Sequence, residues 1–151
     1  MNVIIYDNGN GVSVVIPTGE LSVEEVQIKD CPQGTVIDDS ELPSRDFRNA
    51  WEIVADKVEV NFAKAKDLTK DRLRAERTPL LEAQDVAFQR ALENSSDTSA
   101  IVAEKQRLRD ITKQVDTATT LDELKVLNCD KPVAEVTEQP VVEPTVEGEN
   151  L

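Results

Sequence analysis

Hydrophobic positions change their spacing along this chain at about residue 60. Before that point, short β-branched and aromatic runs alternate with glycine, proline and asparagine, a pattern typical of strands joined by turns. The runs predict strands over 3–6, 12–16, 35–37, 50–54 and 58–60. Ser22 and Glu25 have the spacing of a capping box, which predicts a short helix over 23–29. Residues 1–60 are therefore expected to form a small α+β docking unit.

From residue 62 onward, apolar side chains recur every three or four positions, as they do on one face of an α-helix. The stripe consists of Phe62, Ala65, Thr69, Leu73, Glu76, Leu80, Ala83, Ala87 and Ala91. It predicts a helix from 62 to about 93, capped at its start by Asn61. Pro79 has no backbone donor, so the helix is expected to kink or break near Thr78.

A second helix is expected after a short polar loop. Residues 94–97 are Asn-Ser-Ser-Asp, which predicts the loop, and an apolar seam follows over 98–115. Two long helices joined by so short a loop form an antiparallel hairpin. Thr120 and Glu123 make a second capping box, which predicts a third, short helix.

The distribution of charge supports a division of the chain into three parts. Residues 1–60 carry 12 acidic and 4 basic side chains, the helical unit over 61–127 carries 12 of each, and 128–151 carry 6 acidic and 1 basic. The net charge of −13 disfavours binding to nucleic acid or to an anionic membrane, because both need a basic surface. The proline- and valine-rich end, 128–151, is expected to be either a disordered, extended acidic tail or an arm that becomes ordered on another subunit.

Secretion and membrane insertion are not predicted. The stretch from Met1 to Tyr6 lacks the basic region that begins a signal peptide, and no segment approaches the roughly 20 apolar residues of a membrane span. Cys31 and Cys129 could form a disulfide, but two free thiols in a reducing cytosol are the favoured interpretation.

No motif predicts catalysis, a cofactor or a metal site, so we expect a protein that is not an enzyme. The absence of histidine excludes a histidine-based triad or zinc site. Acidic pairs such as Glu24-Glu25 and Asp122-Glu123 lie at predicted helix starts, where carboxylates complement the helix dipole. The turn over 7–11 lacks the spacing of a calcium loop, and the chain has no glycine-rich phosphate motif.

One cluster of basic residues lies on the first predicted long helix. It consists of Lys64, Lys66, Lys70, Arg72, Arg74 and Arg77, and it alternates with Asp67, Asp71 and Glu76. One interpretation is a solvated helix face with ion pairs along it. The other is that the three arginines reach acidic residues of a partner chain.

Several motifs between residues 42 and 127 resemble those of small tailed-phage proteins. They are Leu42-Pro43-Ser44-Arg45-Asp46-Phe47-Arg48-Asn49-Ala50-Trp51, Ala63-Lys64-Ala65-Lys66, Lys70-Asp71-Arg72-Leu73-Arg74, Arg77-Thr78-Pro79-Leu80-Leu81, Asp85, Arg90-Ala91-Leu92, Lys105-Gln106-Arg107-Leu108-Arg109-Asp110-Ile111-Thr112 and Leu121-Asp122-Glu123-Leu124. Related helical modules occur in tail-fibre proteins. The order of the arginine–leucine, aspartate and lysine–glutamine motifs is also similar to that of phage tail assembly chaperones.

The resemblance implies a virion structural protein of the tail, baseplate or tail-fibre attachment, made in the cytoplasm of the host bacterium. The alternative is a tail or tail-fibre assembly chaperone that is absent from the mature particle. The implied partners are other phage tail or fibre proteins, and the weak alanine seam favours a homo-oligomeric coiled coil, a trimer if a fibre is involved. The residues expected to make the interaction are Trp51, Phe62, Leu73, Leu80, Phe88, Ile101, Leu108, Arg72, Arg74 and Arg77.

Overall fold

The computed structural model describes residues 1–131 and shows a mixed α+β protein, in which a small antiparallel sheet precedes a long helix. This agrees with the fold class expected from the sequence. The predicted acidic tail falls almost wholly on residues 132–151, which lie outside the described residues.

Three strands form the N-terminal sheet, in the order β2–β1–β3. β1 spans Asn2–Asp7, β2 spans Val12–Val15 and β3 spans Thr35–Asp38. β1 is central and antiparallel to both neighbours, with Ile4 opposite Val15 on one side and opposite Val36 on the other. All three strands were predicted from their β-branched runs.

The two faces of the sheet are covered differently. Val3 and Ile5 face a β-hairpin, whereas Ile4 points to the opposite face, toward the helix α1 over Val23–Asp30. A Cβ atom at Gly34 would lie 2.4 Å from Cγ2 of Ile4, so only glycine allows the chain to pass so close to the strand. The capping box of Ser22 and Glu25 is confirmed.

The predicted hairpin near residue 55 is also confirmed. β4 spans Trp51–Val54 and β5 spans Lys57–Val60. The residues between them, Ala55 and Asp56, both have positive φ values of 49° and 63°. Such a two-residue turn matches the right-handed twist of the flanking strands.

A single helix, α2, spans Phe62–Glu93, and Asn61 caps it by accepting from the backbone N–H of Lys64 at 3.0 Å. A kink or a break was predicted near Thr78; the helix continues through Pro79, so it does not break there. The carbonyl of Ala75 loses its usual donor at Pro79, but both residues lie on the exposed side of the helix, where water can replace the missing bond.

The second arm of the hairpin is shorter than predicted. α3 spans Ser99–Asp110, and the chain turns at Ile111 before a separate short helix, α4, over Lys113–Thr117. The last carbonyls of α3 accept hydrogen bonds from the side chain of Arg77, so a group from α2 stabilises this helix end. A further helix, α5, spans Leu121–Val126 and begins with the predicted capping box.

Two clusters of buried side chains hold the fold together. The sheet and hairpin enclose Val3, Ile5, Val12, Ile37, Trp51 and Val58. A second cluster, here called the helical core, contains Phe47, Ala50, Ala65, Leu73, Leu108, Ile111, Val115, Ala118, Leu124 and Cys129. Val60 packs against both clusters. Packing therefore crosses the predicted domain boundaries at residues 60 and 127, because the helical core contains side chains from both sides of each boundary.

Candidate interaction surface

The far half of the helical hairpin, residues 79–104, is here called the distal hairpin. α2 and α3 pack against each other, yet no side chain between Leu73 and Leu108 is fully buried. The helical core covers only the first part of α2, where Ala65, Thr69 and Leu73 are buried. The remaining turns of α2 have α3 as their main neighbour among the described residues.

Large apolar side chains are exposed on the distal hairpin. Val86 is 51% exposed, Leu92 is 53% exposed and Val102 is 50% exposed. Val86 and Leu92 are six residues apart, which places them on different sides of α2 at 100° per residue. More than one side of the distal hairpin therefore presents apolar surface to its surroundings.

One charged residue joins the two helices of the distal hairpin. Lys105 lies on α3, and its Nζ atom is 2.5 Å from Oδ1 of Asp85 and 5.2 Å from the centroid of the Phe88 ring on α2. Its side chain is mostly shielded from solvent. Phe88 and Ile101 are half-buried between the helices. The pairing is thus held by a few contacts rather than by a continuous core.

The predicted interaction residues fall into two groups. Trp51, Leu73 and Leu108 are buried inside the chain, and Phe62 packs on the edge of the helical core. Leu80, in contrast, is 40% exposed. Leu81 packs against the helical core in its place, because α3 lies to one side of the predicted stripe. Beyond Leu73, the predicted stripe is covered only in part: Glu76, Ala87 and Ala91 are half-buried, whereas Leu80 and Ala83 are exposed.

The predicted arginines bind chiefly within the chain. Arg72 donates to the carbonyls of Leu124 at 3.2 Å and Leu127 at 2.7 Å, where α5 ends. Arg77 donates to the carbonyl of Arg109 at 2.8 Å. Within residues 1–131, Arg74 pairs only with the nearby and exposed Asp71, as expected of a solvated helix face. Two of the three arginines therefore stabilise helix ends in their own chain.

Arg107, which was not among the predicted interaction residues, also donates to backbone carbonyls of its own chain. Arg107 binds Glu104 through two hydrogen bonds of 2.9 and 2.7 Å and donates to the carbonyls of Cys129 and Asp130. The bond to Arg107 lowers the pKa of Glu104, and Glu104 in turn raises the pKa of Arg107. Spacing along α3 predicts the pair with Glu104, but only the folded structure brings Cys129 beside them.

Both cysteines are free in the structure. Burial raises the pKa of the Cys129 thiol, and its Sγ atom lies 3.5 Å from the carbonyl of Leu73. Cys31 is half-buried. Within residues 1–131, no cluster of three or more histidine, cysteine or acidic residues could hold a metal ion. In the same range, no helix has the length and apolar character needed to cross a membrane.

Comparisons with protein-family models, with curated proteins and with solved structures gave no match to this chain.

Proposed function

We propose that this protein is a non-enzymatic structural component of a tailed-phage particle, in the tail, the baseplate or the tail-fibre attachment, and that it acts through protein–protein association. The motifs between residues 42 and 127 support the phage assignment by resemblance. The observation that carries the association is the exposed apolar surface on more than one side of the distal hairpin. Of the ten large apolar side chains that are exposed within residues 1–131, four lie on the distal hairpin, namely Leu80, Val86, Leu92 and Val102.

The chemistry of the distal hairpin favours a protein as the partner. Covering the exposed halves of Val86, Leu92 and Val102 would contribute about 1 kcal/mol each, taking half the value for full burial of such side chains. Ala83 and Ala100 are also exposed on the distal hairpin, and their short side chains leave room for another helix to pack there. Apolar surface on different sides suits a hairpin placed between neighbouring subunits, as in a homo-oligomer or a trimeric fibre. The N-terminal unit is then free to dock on another tail or fibre protein.

Mass spectrometry of purified particles tests this proposal. A phage that encodes this chain should contain several copies of it per virion, and its absence from purified particles would contradict the proposal. The surface is tested by the double variant Val86→Ser and Val102→Ser, which should reduce incorporation into particles. Val126→Ser is the matched control, because Val126 is an exposed valine on α5, outside both the distal hairpin and the N-terminal unit.

The alternative function is a tail or tail-fibre assembly chaperone that leaves before the particle is complete. The net charge of −13 favours it, because a strongly charged protein stays soluble while it shields an apolar partner. Detection of the chain in infected lysate, bound to a tail or fibre subunit but missing from mature particles, would support the chaperone and exclude the structural role.

A further inference from the structure

The side of α2 that faces away from α3 is exposed throughout the distal hairpin. Its residues recur every three or four positions, share one face of the helix and are all exposed, namely Pro79, Glu82, Val86, Arg90 and Glu93. Phe88, which contacts Lys105 of α3, lies about 200° around the helix from Val86. The face centred on Val86, here called the outer face, is therefore left uncovered by residues 1–131.

The charges on the outer face are arranged symmetrically about Val86. Glu82 lies one turn before Val86 and Arg90 lies one turn after it, about 6 Å along the helix axis in either direction. Neither Glu82 nor Arg90 makes an ion pair with any residue in 1–131. Side chains pair along a helix at spacings of three or four residues, so these two are too far apart to pair with each other.

A second copy of the same helix, running antiparallel, satisfies both charges. With a twofold axis beside Val86, each Glu82 meets the Arg90 of the other copy, and each Val86 meets its own counterpart. Glu93 then lies opposite Pro79, which is uncharged. A parallel copy in register would instead place Glu82, Arg90 and Glu93 each against the same charge, which is repulsive. The charge pattern thus favours the antiparallel arrangement.

We propose that the outer face binds the outer face of a second copy of this chain, with the two α2 helices antiparallel and Val86 beside the twofold axis. The inference rests on the proposed role in protein–protein association, and it names the partner of this face. Ion pairs at a surface contribute little individually, so the charges fix the direction of pairing more than its strength. Leu92 and Val102 lie outside the outer face, so the dimer leaves apolar surface for a further subunit.

Exchange of charges in the full-length chain tests the direction of pairing. In sedimentation equilibrium of the purified chain, Glu82→Arg should weaken dimerisation about tenfold, because like charges replace both ion pairs. Arg90→Glu should weaken it similarly, and the double variant Glu82→Arg with Arg90→Glu should restore it. Glu59→Arg is the matched control, since it makes the same change of charge at an exposed position of β5. Single variants that dimerise like the wild type, or a double variant as weak as the single ones, would refute the antiparallel pairing.

A disulfide beside the twofold axis gives an independent readout. In a Cys31→Ser background, Val86→Cys should form a disulfide-linked dimer under mild oxidation, because the pairing brings its two Cβ atoms to the separation of about 4 Å that a disulfide needs. Cys129 is retained because it is buried. Val102→Cys is the matched control, since Val102 is exposed to the same degree but lies on α3. Equal cross-linking at the two positions, or none at Val86, contradicts the proposal.

Measurements on the purified chain separate this inference from the proposed function. A chain that stays monomeric up to about 1 mM overturns the pairing, and mass spectrometry of particles still decides the structural role. A dimer formed by a chain that is absent from particles supports the pairing and contradicts the structural role. If the chain is monomeric but Val86→Ser alone lowers incorporation into particles, the outer face binds a different protein, and the second copy is excluded.

Discussion

Replacement of Leu73 by alanine should lower the free energy of unfolding far more than the same replacement near the end of α2. Leu73 is fully buried in the helical core, whereas Leu92, near the end of the same helix, is 53% exposed. Removing the buried side-chain carbons loses roughly 2.4 kcal/mol of transfer free energy at about 0.8 kcal/mol per carbon. The cavity left behind adds roughly 1.5 kcal/mol if about 60 Å³ stays unfilled. We therefore expect Leu73→Ala to cost about 4 kcal/mol and Leu92→Ala less than about 1 kcal/mol.

Equilibrium unfolding in urea measures this difference. The variants share the same change in helix propensity, so that contribution cancels when they are compared. With a slope of about 2 kcal/mol per molar urea, Leu73→Ala should lower the midpoint by about 2 M and Leu92→Ala by less than about 0.5 M. The measurement is made at low protein concentration so that association does not contribute. Similar losses for the two variants would refute the argument that the core ends near the middle of α2.

Three further outcomes are expected from the contacts described above. Arg72→Met should destabilise the chain by about 1–2 kcal/mol because it leaves two carbonyls at the end of α5 without their donor, whereas Arg74→Met should cost less than about 0.5 kcal/mol; urea unfolding of both variants checks this. Glu104 has a pKa below its ordinary value of 4.5, so it contributes stability at neutral pH that is lost as the pH falls below that value through the lowered pKa. Unfolding of Glu104→Gln at a series of pH values should therefore show a smaller loss of stability on the acid side than the wild type. A thiol reagent should modify Cys31 quickly and Cys129 slowly under native conditions, and equal rates would contradict the burial of Cys129.

Local sequence signals predicted the elements whose hydrogen bonds are local. The capping box of Thr120 and Glu123 and the hairpin turn near Ala55 depend on residues within a few positions of each other. The same holds for the long helix, because its apolar period and its cap at Asn61 are properties of one segment. These features follow from short-range chemistry and could be located from the sequence alone.

Features set by contacts distant in sequence could not be predicted in the same way. α3 ends at Asp110, and its last carbonyls accept from Arg77, which lies more than thirty residues earlier in the chain. Leu81 rather than Leu80 packs against the helical core because α3 lies to one side of the apolar stripe. The apolar stripe included Leu80 but not Leu81, because the burial of residues on the distal hairpin depends on which elements of the fold cover them.

The junction between β5 and α2 makes the long helix a lever attached to the N-terminal unit. The backbone N–H of Asn61 donates to the carbonyl of Ala50 at 2.8 Å, and Phe47 and Ala50 pack in the helical core with the first turns of α2, so the helix is fixed to the N-terminal unit. α2 is about 48 Å long at 1.5 Å per residue, so a rotation of the N-terminal unit by about 5° would move the far end of the helix by about 4 Å. A small change in how the N-terminal unit is seated would thus be transmitted, enlarged, to the tip of the helical hairpin.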